Sequence, residues 1–224
     1  GFTTGASAAI YTNDTNDGGE HVAWCWRANG GTTATNTSGT ITSTVQANTA
    51  GGFSIILYTG NGSDGATIGH GLSAAPELIM VKRRTFDQNW AVYHEGMGNT
   101  DNLELNTSDA KATGSAWWSD TTPSSTVITL GTEGRVNYNT GGYVAYCWHS
   151  VEGYSKFDRY EGNGNSDGTF VYTGFRPRMI FLKQIDGAAE WAVYDTARDT
   201  YNMAERCIEW DLAAAEKTST NLST

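Results

Sequence analysis

Gly52-Phe53-Ser54, followed by Tyr58-Thr59-Gly60-Asn61-Gly62, returns as Gly153-Tyr154-Ser155 followed by Tyr160-Glu161-Gly162-Asn163-Gly164. Pro76 returns as Pro177, Lys82 as Lys183, and Trp90-Ala91-Val92-Tyr93 as Trp191-Ala192-Val193-Tyr194, at a constant offset of 101 (191 − 90). A repeat of this length fixes the architecture before any single element is assigned, because both copies must fold to the same unit. A second echo pairs Val22-Ala23-Trp24-Cys25-Trp26 with Val144-Ala145-Tyr146-Cys147-Trp148 and marks the segment that closes a module. The chain divides accordingly. Residues 1–28 read as the closing strands of a preceding repeat, 29–51 as a Gly/Thr/Ser/Asn linker or edge strand, 52–152 as a complete β-module, and 153–224 as a second, incomplete one. Residues 1–28 are expected to supply the closing strand that this last copy lacks, within the chain or from a neighbour, since an incomplete sheet leaves unpaired edges.

Inside one copy, Phe53 to Tyr58 is a β-branched and aromatic run that stops at Gly60-Asn61-Gly62-Ser63-Asp64-Gly65, which predicts a strand ending in a tight loop. Leu78 to Lys82 and Trp90 to Tyr93 flank a polar stretch and predict a hairpin with a charged tip at Lys82-Arg83-Arg84. Leu103 to Leu105, Val127 to Leu130 and Tyr143 to Trp148 supply three more strands. Thr40 to Val45 alternates and could add another. Ala213-Ala214-Ala215-Glu216-Lys217 has helix propensity, which leaves a helical turn after a strand at Cys207 to Trp210 as an open alternative. The fold class is therefore all-β, in tandem antiparallel sandwich modules with little helix.

Composition agrees with short strands and many turns: 27 Gly and 17% charged residues do not suit long helices. A formal net charge of −10 argues against nucleic acid and anionic membranes as partners, because both require clustered Lys or Arg. No apolar run approaches the roughly 20 residues of a membrane span, and no basic segment with an apolar core opens the chain. The absence of an initial Met suggests a processed product or a piece of a longer polypeptide. Three cysteines cannot all pair, and Cys25 and Cys147, in equivalent positions, are expected to be buried small apolar residues.

The joint pattern of Gly-Phe-Ser-Ile with Tyr-Thr-Gly-Asn-Gly, Ile68-Gly69-His70-Gly71-Leu72, Ala75-Pro76 before Ile-Met-Val-Lys, and Trp-Ala-Val-Tyr-His resembles a module of tail-fibre and other virion structural proteins of marine phages. The likeness extends through Glu152 to Phe157 and Tyr172 to Pro177, covering nearly the whole chain. It implies concanavalin-like or jelly-roll sandwiches, a place on the virion surface, homo-oligomerisation with other virion proteins nearby, and contact with cell-surface glycans. A secreted bacterial glycan-binding adhesin or lectin and a polysaccharide-degrading tailspike are the rival readings.

Candidate sites follow from residue chemistry. Trp117-Trp118, if strand-like, would turn one ring outward as a platform for a sugar, with His70 in Gly69-His70-Gly71 as a further contact. Packing against a neighbouring subunit is the simpler use of the tryptophans, and a structural role that of the histidine. Asp64 and Asp167 lie in oxygen-rich Asn/Gly/Ser loops of the kind calcium requires, although plain turns use the same residues. No cofactor is otherwise expected. Asp87, Glu95, Asp101, Glu104 and Asp109 could furnish a glycosidase carboxylate pair, yet no local motif selects one, and no catalytic residue is assigned. Trp90 and Trp191, repeated within strands, are expected in the core.

Overall fold

The computed structural model describes residues 3, 23–218 and 222–223. The first copy builds on three long strands, β3 (Phe53–Thr59), β5 (Leu78–Arg83) and β10 (Gly142–Trp148), with β10 in the middle, antiparallel to both neighbours. Onto β5 are added β6 (Ala91–His94), β7 (Asp101–Glu104) and the short β8 (Ala112–Thr113). On the other side, β3 pairs with β2 (Ser43–Asn48), and β2 with β1 (Ala34–Asn36), completing eight strands in the order β1-β2-β3-β10-β5-β6-β7-β8. Of the two alternatives for residues 29–51, the strands β1 and β2 agree with the edge strand. They form an edge hairpin whose Ile41 and Val45 enter the core.

The two faces of this sheet bury different sets, as a pleat of period two requires. Ile56 and Tyr58, Ile79 and Val81, Ala91 and Tyr93, and Tyr143, Ala145 and Cys147 point to one side. There they meet a two-stranded sheet of β4 (Ala66–Gly69) and β9 (Val127–Leu130), together with Trp117, Trp118 and Val136. Val136 lies in a one-turn helix, α1 (Gly134–Asn137), which periodicity gave no reason to expect. Each fully buried aliphatic side chain here contributes roughly 1.5–3 kcal/mol. The opposite face carries Phe53, Leu78, Val92, Leu103, Leu105 and Trp148, and Trp191 of the second copy packs there with Phe181 and Ile185.

The second copy forms a three-stranded sheet, β11 (Met179–Leu182), β12 (Ala192–Asp195) and β13 (Ile208–Glu209), in that order. Its register repeats that of the first copy. Met179 pairs with Asp195 and Leu182 with Ala192, just as Leu78 pairs with His94 and Val81 with Ala91. Backbone N–H of Trp90 is held by the Asn106 amide oxygen at 2.9 Å, and that of Trp191 by Asp211 Oδ1 at 2.9 Å. Lys82 Nζ closes its hairpin by donating to the Gln88 carbonyl, and Lys183 Nζ does so to Ala189 at 2.7 Å. Glu209 pairs with Ala192 as Glu104 does with Ala91, which raises the offset to 105 (209 − 104) and makes the intervening loop four residues longer.

Three expectations need correction. Residues 23–28 form no strand, and Cys25 is exposed while Cys147 is buried, because among the described residues no strand pairs with the first segment whereas β10 lies between two. Residues 1, 2 and 4–22 lie outside the described residues, Val22 among them. Trp90 is half-buried, unlike the buried Trp191, because Trp191 enters the cluster of Phe53, Leu78 and Leu103 whereas Trp90 packs at its margin. The alternative left open after Trp210 resolves against a helical turn, since the chain turns back there and Lys217 bridges to Cys207.

Candidate functional site

Trp117 and Trp118 sit in a turn rather than a strand, so the alternation that would send one ring outward does not apply. Both are buried: Trp118 is 1% exposed, edge-on to Tyr93 at 5.8 Å, and Trp117 is 7% exposed with the Arg135 guanidinium 5.2 Å over its ring. Neither offers a face to a sugar. His70 is likewise enclosed, with Nδ1 accepting from the Leu72 N–H at 3.1 Å and Nε2 at 3.2 Å from the Ser124 carbonyl. Burial lowers its pKa and keeps the ring neutral, a structural part for this residue rather than a surface contact.

Asp64 and Asp167 lie on exposed loops. Asn61 Oδ1 accepts from the Ser63 N–H at 2.9 Å, while Asn163 and Asn165 accept from Asn165 and Asp167, so both loops are turns closed by asparagine side chains. Among the described residues no group of three or more His, Cys, Asp or Glu is arranged to hold a metal ion. Of the other acids, Asp101 binds Lys111 Nζ and Thr113 Oγ1, each at 2.6 Å, and Glu104 takes the Asn89 amide and the Arg135 guanidinium at 3.3 Å. Burial alone would raise the Asp101 pKa, but those bonds outweigh it and hold it low.

The structure points instead to the longer loop between β12 and β13. A shallow hollow of about 420 Å³ opens there, lined by Arg198, Asp199, Tyr201, Asn202 and Arg206 among others. Its floor is fixed by charge. Arg198 donates to Asp195 Oδ2 and Glu216 Oε2, each at 2.7 Å, and to the Val193 carbonyl at 3.1 Å. Burial would lower the Arg198 pKa, yet these carboxylates raise it, while the Asp195 carboxyl, which burial would raise, is held low chiefly by bonds from Arg198. Asp199 Oδ2 ties the far side by accepting from the N–H groups of Glu205 and Arg206 at 2.9 and 2.8 Å. Met203, at φ 70°, turns the chain, and Tyr201 stands out 86% exposed. An exposed ring on a braced polar frame can stack on the apolar face of a sugar while its neighbours bond hydroxyls. The one sequence signal for this place was the change of offset from 101 to 105, which a constant-offset comparison passes over.

At the other end of the β12–β13 hairpin, a side-chain chain of the first copy is replaced by one of carboxyl groups alone. There Asn106 donates to Asn89 Oδ1 at 2.8 Å and Asn89 to Glu104. The corresponding residues of the second copy are Asp211, Glu190 and Glu209, three acceptors with no amide among them. Lys217 donates to Glu209, and contact with Asp211 raises the Glu190 pKa.

No curated protein and no solved structure matches this chain. One family model does, over residues 1–223. That match spans both copies and the edge hairpin before them, so the chain belongs to the DUF7483 family, a domain of unknown function.

Proposed function

We propose that the chain is a structural component of a phage surface appendage of the tail-fibre kind, which presents loops to host glycans and does no chemistry of its own. The observation that carries this reading is the repeat: two copies share strand register and hairpin closure while their loops diverge, as in modules built to stack and display. The resemblance of the repeated motifs to marine-phage virion proteins supplies the setting. The braced loop around Tyr201 supplies a contact surface of suitable chemistry. An acidic net charge of −10 suits an exposed, soluble appendage.

Glycan-array binding tests the display role. Wild-type protein is expected to retain a subset of glycans with weak affinity, and Tyr201→Ala to lose them at least tenfold. No binding on any array, with antibody against the chain failing to decorate purified particles, would overturn the proposal. Release of reducing sugar from host polysaccharide would favour the tailspike reading.

A further inference from the structure

Two segments of the chain correspond to a strand pair that the first copy forms and that the second lacks among the described residues. One is β11, paired among the described residues on one side only, with β12. Its counterpart β5 is paired on both sides, because β10 runs along its other edge. The other is Ala23-Trp24-Cys25-Trp26, the counterpart of the last four residues of β10. In β10 those positions are mostly buried, with Ala145 and Cys147 fully enclosed. In the first segment Ala23 and Cys25 are exposed, Trp26 is 40% exposed and rests against Phe53 and Trp148 at 6.3 and 5.8 Å, and the backbone is irregular. A strand sequence in no ladder, and a strand whose second edge is unpaired among the described residues, are the two parts that strand addition joins.

We propose that residues 23–26 of one copy of this chain add to β11 of a second copy, closing its sheet in the register of β10 on β5. That register pairs Trp148 with Leu78 and Ala145 with Val81. Carried across the repeat, Trp26 faces Met179, Cys25 faces Ile180, Trp24 faces Phe181 and Ala23 faces Leu182. The side chains then fall as in the first copy. Trp24 joins Phe181 and Trp191, which already stack at 5.1 Å, as Tyr146 joins Trp90 at 6.2 Å. Within the single chain, Trp24 already lies 5.3 Å from Trp210, so the segment is compatible with that aromatic face.

A second copy is the fitting occupant. In the chain, β10 closes the first module and the next module follows it at once, packed on the leader's sheet through Trp191, whose Nε1 donates to the Glu104 carbonyl at 3.0 Å. A strand donated from another chain repeats that order, since the donor's first module follows its own residues 23–26. Self-closure would require the first module to be both leader and follower of the second. The contact is head-to-tail, so it propagates into a filament or closes as a ring.

The test is a register-specific cross-link. Arg84 N–H bonds the Gly142 carbonyl at 2.7 Å, so bonded pairs alternate and Ile79 with Cys147 is a non-bonded pair. At such pairs the Cα atoms are about 4.5 Å apart, within disulfide reach. The variant Ile180→Cys is mixed as isotopically labelled and unlabelled chains under mild oxidation. It is expected to give peptides in which Cys25 of one label is joined to the new thiol at position 180 of the other, and a ladder on non-reducing gels. Phe181→Cys, on the other face, should give no such peptide. For the unmodified chain, mass by light scattering should rise with concentration. Trp24→Pro, which removes a ladder N–H, should return it to the monomer. A link between positions 25 and 180 confined to single chains, its absence in a folded Ile180→Cys protein, or a monomer at every concentration would each overturn the proposal. The outcome does not depend on glycan binding.

Discussion

Trp191→Ala probes the joint between the two copies. The indole is 4% exposed, stacks on Phe181 at 5.1 Å, and belongs to the cluster shared with Phe53, Leu78 and Leu103 of the first copy. Truncating a buried tryptophan costs about 3–5 kcal/mol through lost transfer energy and the cavity left behind. The change also removes the Nε1 donor from the Glu104 carbonyl, which keeps the Thr107 N–H at 3.4 Å, so this loss adds about 1 kcal/mol at most. A total near 5 kcal/mol follows, against roughly 2 kcal/mol for Trp90→Ala, whose half-buried ring has less to lose. Urea unfolding followed by far-ultraviolet dichroism measures both. The Trp191 variant should unfold in two steps, the second copy first, while the Trp90 variant keeps one transition. Equal losses at the two positions, or a loss at Trp191 below about 2 kcal/mol, would refute the claim that the copies are joined through this ring.

Further outcomes follow from the same contacts. His70 has a lowered pKa, caused first by burial, so it stabilises the fold fully above its ordinary value of 6.5; that contribution is lost as pH falls through this value toward the lower folded one. His70→Asn should flatten the dependence of melting temperature on pH between about 5 and 7.5, by the ordinary titration range of histidine. Glu190 behaves oppositely: its raised pKa, due first to the bond with Asp211, means stability is greatest while the proton is held and falls as pH rises through the folded value. Glu190→Gln, which restores an amide where the first copy has Asn89, should raise the urea midpoint at neutral pH and lose that advantage in acid. Gly39→Ala would place a Cβ 2.3 Å from the Thr67 carbonyl oxygen and should cost about 1–3 kcal/mol in the same unfolding assay. A thiol reagent should label Cys25 in dilute native protein, while the buried Cys147 and Cys207 react only after unfolding, which mass spectrometry reads directly.

Strands were legible in the sequence because each carries its own alternation: Ile56 and Tyr58 inward, Phe53 and Ile55 to the opposite face. The repeat was legible down to register, since Trp90 and Trp191 mark the same point of the same hairpin. Burial was not, because it belongs to neighbours rather than to local sequence. Cys25 and Cys147 share a motif and differ in exposure according to whether strands lie beside them. Strand alternation would turn one of Trp117 and Trp118 outward, yet in their turn one covers the sheet edge-on to Tyr93 and the other lies under Arg135, contacts between residues far apart in the chain. The Tyr201 loop was hidden for a different reason: its distinction is a length difference between copies, with no motif inside it.

The lysine that closes each hairpin has a consequence for how such a chain can vary. Lys82 and Lys183 each fasten the base of a loop six residues across, so the strands below are held together whatever the apex contains. The first copy uses that freedom to place Arg84, Thr85, Phe86 and Asp87 in open solvent; the second puts Ile185 against its neighbour. A foreign peptide grafted between positions 84 and 87 should leave the scaffold intact, making this apex a natural insertion point for new specificity.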